Sequence, residues 1–196
     1  MAKPCRKFAL NVPHQHLASR PVAGPGPEIP QWIAVYTFPK HERAVAERLT
    51  GSAVEVFYPS LMRQSQWKDR RTWIQRPLFP GYVFVRVPLD DRLAVLRVPG
   101  VIRIISCKAV PLAIPDSDIE AVRLCLLAPG KVESHPYVES GMRVRLTSGP
   151  CAGVEGVVSQ SDDGCKLIVA VPAIQQAVAL DVDASGLEPV HPSFLQ

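Results

Sequence analysis

From Val138 onward the chain carries no helix signals. It offers instead short apolar or alternating runs at 142–146, 154–159, 167–171 and 177–182, separated by Gly, Pro and polar residues. Such segments bury apolar surface only by pairing edge to edge, so 138–190 predicts a small all-β barrel. Residues 31–127 read differently, with strand and helix patterns in alternation. Two such textures within 196 residues predict an α+β protein of two small domains.

In the first domain, Trp32-Ile33-Ala34-Val35-Tyr36 is a β-rich run, followed by a helix over 40–50. Pro39 suits that helix's first turn, Val45 and Leu49 share a face, and Gly51 is expected to end it in the left-handed conformation. A second strand is expected at 53–58, and the Pro80-Gly81 step bends the chain before a third at 82–85. Leu89, Leu93 and Leu96 are spaced as one helix face, stopped at Pro99-Gly100 and followed by a short strand at 101–105. Ser117 and Glu120 form a capping-box pattern before Ile119, Val122 and Leu126, which share a face. The start of the chain, 1–30, holds six prolines without apolar periodicity and is expected to be a flexible tail. The stretch 128–137, with Pro129, Gly130 and Pro136, is expected to be a linker.

Composition removes several classes. With 47% hydrophobic residues, 20% charged residues and a mean hydropathy of +0.09, there is enough apolar side chain for a core, against wholesale disorder. The best apolar stretch, 167–174, is eight residues long and contains Pro172, against about 20 needed to cross a bilayer. The N-terminus lacks a signal-peptide core, so a cytoplasmic protein without membrane contact is expected. Five cysteines (Cys5, Cys107, Cys125, Cys151, Cys165) without a C-x-x-C pair argue against a disulfide framework or a zinc site and suggest buried, reduced thiols. No metal, cofactor or catalytic motif is found, so the chain is not expected to be an enzyme.

The net charge of +4 is concentrated. Between Leu61 and Arg76 stand Arg63, Lys68, Arg70, Arg71 and Arg76 against Asp69 alone, a local +4 that leaves the rest of the chain neutral. Interleaved Trp67 and Trp73 give that segment what a nucleic-acid surface requires, charge for phosphate and a face for stacking; a solvated basic loop gives the same arithmetic. Four phosphate contacts would produce a log-log salt slope of about −3.6.

Two motifs carry a family resemblance. Gly141-Met142-Arg143-Val144-Arg145-Leu146 followed by Gly149-Pro150, Gly153 and Gly156 resembles the KOW motif: Gly149, Gly153 and Gly156 allow a tight crossover, with Arg143 and Arg145 pointing outward from Met142, Val144 and Leu146. Upstream, Pro77-Leu78-Phe79-Pro80-Gly81-Tyr82-Val83-Phe84-Val85, taken with the 32–36 strand, the 40–50 helix, Glu55-Val56-Phe57-Tyr58-Pro59 and Pro99-Gly100-Val101, resembles the N-terminal (NGN) domain of NusG-type transcription elongation and antitermination factors. The order and spacing match across 31–190, with an NGN-type α/β sandwich over 31–127 and a KOW (SH3-like) barrel over 138–190.

The resemblance implies that the first domain grips the clamp helices of the largest (β′) RNA polymerase subunit, bridges the DNA cleft and suppresses pausing or termination. By position, Tyr36, Phe79, Tyr82 and Phe84 match the gripping surface, although strand alternation alone leaves open which face of 82–85 is buried. Trp32 is expected in the core. Lys40, His41 and Arg43 lie where relatives touch the non-template DNA strand, and Lys68, Arg70 and Arg71 where the family has a hairpin tip near polymerase and DNA. A ribosomal protein or Rho is the partner implied for the KOW domain, and a monomer is expected. Trp67-Lys68-Asp69-Arg70 followed by the Pro77 to Tyr82 stretch looks closer to operon-specific paralogues than to the housekeeping factor. The rival reading is a KOW-containing RNA-binding or ribosome-associated protein that never meets polymerase; a nucleotide-dependent enzyme is a third.

Overall fold

The computed structural model describes residues 29–67, 70–128, 131–138, 141–161 and 164–190. The tail expected over 1–30 lies outside them except for its last two residues. The chain opens with β1 (Gln31–Thr37), α1 (Glu42–Gly51) and β2 (Glu55–Phe57). A long hairpin follows, β3 (Ser60–Trp67) and β4 (Arg70–Pro77), then β5 (Tyr82–Val87), a 3-10 turn at Leu89–Asp91 and α2 (Arg92–Leu96). Next come β6 (Val101–Ile104), the two-residue strands β7 (Ser106–Cys107), β8 (Val110–Pro111) and β9 (Ala113–Ile114), and α3 (Asp116–Leu127).

β1 lies inside an antiparallel sheet of order β2-β5-β1-β6, and β9 pairs the start of β1 along the edge that β6 occupies further on. Alternation sends Ile33 and Val35 of β1 with Val83, Val85 and Val87 of β5 to one face, where Val45, Ala46 and Leu49 of α1 and Val95 of α2 cover them. Trp32, Ala34 and Phe84 point to the other face, against Phe79, Leu78, Ile114 and the Ile119, Val122 and Cys125 stripe of α3. The sheet is thus sandwiched, and Trp32 is core as expected, 3% exposed.

Local details differ from the sequence expectations. Gly51 remains inside α1, and the left-handed residue beyond the helix is Ala53, at φ +59°. α1 begins at Glu42, so Pro39 stands before the helix and not in its first turn. Leu93 and Leu96 are exposed because the 3-10 turn shortens α2 to five residues, leaving Val95 to face the sheet. α3 starts directly after Pro115, which places Ser117 inside the first turn; its hydroxyl approaches Asp118 Oδ1 at 3.5 Å and caps no backbone N–H.

The expected 128–137 linker gives way to β10 (Val132–Pro136), which pairs along β14 (Gln176–Val182) from Val132↔Leu180 to Pro136↔Gln176. With β11 (Arg143–Leu146), β12 (Glu155–Ser161), β13 (Gly164–Val171) and β15 (Leu187–Pro189), they form an antiparallel sheet of order β10-β14-β13-β12-β11-β15. β13 carries the apolar run of the sequence because it is central and Leu167, Ile168, Val169 and Val171 are all buried. Val144 and Leu146 face the core as expected, but Met142, just before β11, is 61% exposed. In the turn between β11 and β12, Gly149 and Gly153 adopt φ +82° and +89°. Gly156 on β12 serves a close approach: a Cβ there would stand 2.5 Å from the Ile168 carbonyl oxygen.

The two halves share one core. The cluster that starts at Trp32, Phe84 and α3 continues without a break into Val144, Leu146, Cys151, Leu167, Val169 and Val178 of the C-terminal sheet. Cys151 Sγ donates to the Leu124 carbonyl of α3 at 3.1 Å, and Arg63 of β3 reaches Glu133 of β10 at 3.7 Å. Of the cysteines, Cys125 and Cys151 are buried as expected, Cys165 is half-buried and Cys107 is exposed; Cys5 lies outside the described residues.

Candidate functional site

Tyr36 and Tyr82 stand directly opposite each other at the end of β1 and β5, and register therefore puts both side chains on the α3 face of the sheet. Their ring centroids are 5.3 Å apart with planes tilted by 55°. Arg103, paired with Tyr36 from β6, holds its guanidinium 5.5 Å from the Tyr36 ring centroid. The result is a row across three strands, Arg103, Tyr36 and Tyr82, whose two rings are only half-buried. Such cation and ring stacking holds the aromatics in place while their edges stay in reach of a partner.

The turn before β5 fixes this row. Gly81 takes φ +83° and its Cα lies so close to Tyr36 that a Cβ would meet the ring at 2.9 Å. Its N–H donates to Glu42 Oε1 at 2.8 Å, and its carbonyl accepts from the Thr37 N–H at 2.8 Å. Glu42 is 5% exposed. A buried carboxylate at the first turn of α1 thus ties the helix to the Pro80-Gly81 bend, and it occupies the end of the helix that would otherwise favour an anion.

Phe79 and Phe84, the other two residues matched to a gripping surface, are fully buried at 0% exposure. Phe84 packs edge-on against Phe79 with centroids 5.8 Å apart and lies 6.0 Å from Phe57. The expectation that they lie on a gripping surface is corrected for both, since neither ring reaches solvent. The sheet is covered on both faces, so the question of which face of β5 is buried has the answer that both are, with Tyr82 and Arg86 half-buried on the α3 side.

The basic residues divide. Lys40, His41 and Arg43 are exposed around the start of α1; His41 meets Phe38 edge-on, with centroids 6.0 Å apart, and Arg43 pairs with Glu47 at 2.8 Å. That Arg43 pair is a solvated i,i+4 contact, which leaves the cation free to exchange partners. Lys40 and Arg43 line a groove of about 610 Å³ together with Tyr58, Gln75 and Trp73, the last 63% exposed on β4. Alternation puts Arg71 on the Trp73 side of the hairpin and Arg63 and Arg76 on the other, where Arg63 turns to Glu133. Lys68 lies outside the described residues, as does the side chain of Arg70.

The structure therefore brings Lys40, Arg43 and Trp73 together, with Arg71 on the same side, and leaves Arg63 with a different partner. Three phosphate contacts, through Lys40, Arg43 and Arg71, would give a log-log salt slope of about −2.1 on single-stranded DNA. Titrating the full chain with single-stranded DNA across a salt series measures it; a flat response rules the surface out. Sequence reasoning missed Glu42, whose partner is 39 residues away, and Arg103, whose role depends on the β1–β6 register.

Residues 30–123 match the family described as "Transcription termination factor nusG". The chain is 28% identical over 174 residues to the transcription termination/antitermination protein NusG of Yersinia pestis, covering 81% of this chain and 95% of that one. It is 31% identical over 121 residues to the corresponding Escherichia coli K12 protein, covering 58% and 66%. A solved Thermotoga maritima NusG, described by its domain interaction, aligns at 23% identity and a TM-score of 0.49, covering 83% of this chain and 98% of that one. With the 30–123 match falling on the sheet that carries the tyrosine row, the chain belongs to the NusG family of transcription termination and antitermination factors.

Proposed function

We propose that the protein binds the clamp helices of the β′ subunit of RNA polymerase through the Arg103, Tyr36 and Tyr82 row, bridges the DNA cleft and suppresses pausing or termination. The observation that supports this best is the half-buried Tyr36 and Tyr82 pair, its tilted rings 5.3 Å apart at the sequence positions that resemble the family's gripping surface. Phe79 and Phe84 shape that surface from behind and make no contact of their own. The groove of Lys40, Arg43 and Trp73 guides the non-template strand, with charge for phosphate and an exposed indole for a base. No bond is made or broken; the effect comes from binding the closed, elongating polymerase more tightly than the open one.

The protein acts in the cytoplasm as a monomer and as an operon-specific paralogue. Its C-terminal sheet recruits a second partner, Rho or a ribosomal protein, as the KOW resemblance implies. Single-round transcription on a template with a defined pause tests the reading. The full chain is expected to shorten the pause, and the Tyr36→Ala, Tyr82→Ala double variant to leave it as in the absence of protein. An unchanged pause with the unsubstituted chain on every template, together with RNA binding, favours the ribosome-associated alternative.

A further inference from the structure

Cys125 and Cys151 meet where α3 packs on the C-terminal sheet. Cys125 belongs to the inner stripe of α3 and is 0% exposed; Cys151 lies in the turn between β11 and β12 and is 1% exposed. Cys151 Sγ donates to the carbonyl of Leu124, the residue next to Cys125, at 3.1 Å, which brings the two thiols near enough to act on each other electrostatically. Both belong to the buried cluster that runs through the two halves of the chain. The residues are 26 positions apart and sit on opposite sides of that contact, so a bond between them would join the halves covalently.

We propose that Cys125 and Cys151 are a redox modification site, oxidised by a small-molecule disulfide such as glutathione disulfide to an intramolecular cystine that fastens the C-terminal sheet to α3. A Cys151 thiolate attacks one sulfur of glutathione disulfide, forming a mixed disulfide and releasing one glutathione thiolate. The Cys125 thiolate then attacks the Cys151 sulfur and releases the second. Two protein thiols are oxidised, one glutathione disulfide is reduced to two thiols, and the two protein protons pass to them.

Order follows from burial. Burial pushes the Cys125 thiol up to about 12 and raises that of Cys151, so both are unreactive while the halves are docked. Both exchanges take place while the contact is open and the thiols reach solvent, and re-docking buries the finished cystine. Cys107 and Cys165 lie outside this cluster and have no such neighbour in it. This inference is independent of the polymerase reading, since it concerns how the halves are held and not what they bind.

The test uses the full chain in glutathione buffers of increasing oxidised fraction, quenched with acid, alkylated and mapped by peptide mass spectrometry. The expected result is a peptide pair joined through Cys125 and Cys151, with loss of two hydrogens from the intact chain, reversed by dithiothreitol. Cys125→Ser and Cys151→Ser are each expected to abolish the linked pair and to leave glutathione adducts on the remaining thiol. Recovery of Cys125 and Cys151 as alkylated free thiols in the most oxidising buffer overturns the proposal. So does a disulfide that instead joins either residue to Cys5, Cys107 or Cys165. These readouts come from the unsubstituted chain and hold even where a serine variant folds poorly.

Discussion

Phe84→Ala lowers the free energy of unfolding by about 3–5 kcal/mol. The ring is fully buried, wedged between Phe79 at 5.8 Å and Phe57 at 6.0 Å, and α3 closes the face it occupies. Truncation loses the transfer energy of the ring and leaves a cavity that two aromatic neighbours and a helix cannot collapse into freely. Against a total stability of about 5–15 kcal/mol, a loss of that size leaves the variant close to unfolding. Leu93→Ala serves as the comparison: Leu93 is 57% exposed on α2, and its loss stays within about 0.5 kcal/mol. Urea denaturation of the three proteins separates the cases. Equal midpoints for Phe84→Ala and the unsubstituted chain would mean that the α3 face of the sheet is not packed as described.

Tyr82→Ala is expected to weaken binding to the clamp helices about 30-fold, an energy of about 2 kcal/mol at an interface centre. Tyr36→Ala is expected to act similarly and less than additively, because each ring orients the other across the β1–β5 register. Both tyrosines are half-buried, so their removal costs less stability than that of Phe84. This separation decides the interpretation. A variant at Phe79 or Phe84 loses binding by unfolding the surface, whereas one at Tyr36 or Tyr82 loses it with the fold in place, and the thermal midpoint tells the two apart.

What the sequence made legible was local. The crossover between β11 and β12 rests on backbone conformations that glycine alone adopts easily, and Gly149 and Gly153 have them. The β-rich run at Trp32 to Tyr36 and the α3 stripe of Ile119 and Val122 rest on periodicity, which survives any tertiary context. What escaped was set by distant pieces of chain. Phe84 is core because Phe57, Phe79 and a cluster that includes α3, more than thirty residues on, enclose it, while Tyr82 on the same strand is half-buried. β10 reads as a linker, with Pro136 at its end, until β14 supplies its partner. Trp73 meets Lys40 and Arg43 only because the β3–β4 hairpin folds back beside α1, and the local charge count could not show that Arg63 faces away from them. Cys125 and Cys151 have no telling spacing, since their meeting depends on how the two halves dock.

The central claim is tested most directly by titrating the full chain against a clamp-helix coiled coil from a bacterial polymerase, with Tyr82→Ala alongside. The account predicts saturable one-to-one binding by the unsubstituted chain, weakened about 30-fold by the substitution while the thermal midpoint stays close to its original value. Binding that is absent from the folded, reduced chain, or that Tyr82→Ala leaves unchanged, would contradict it.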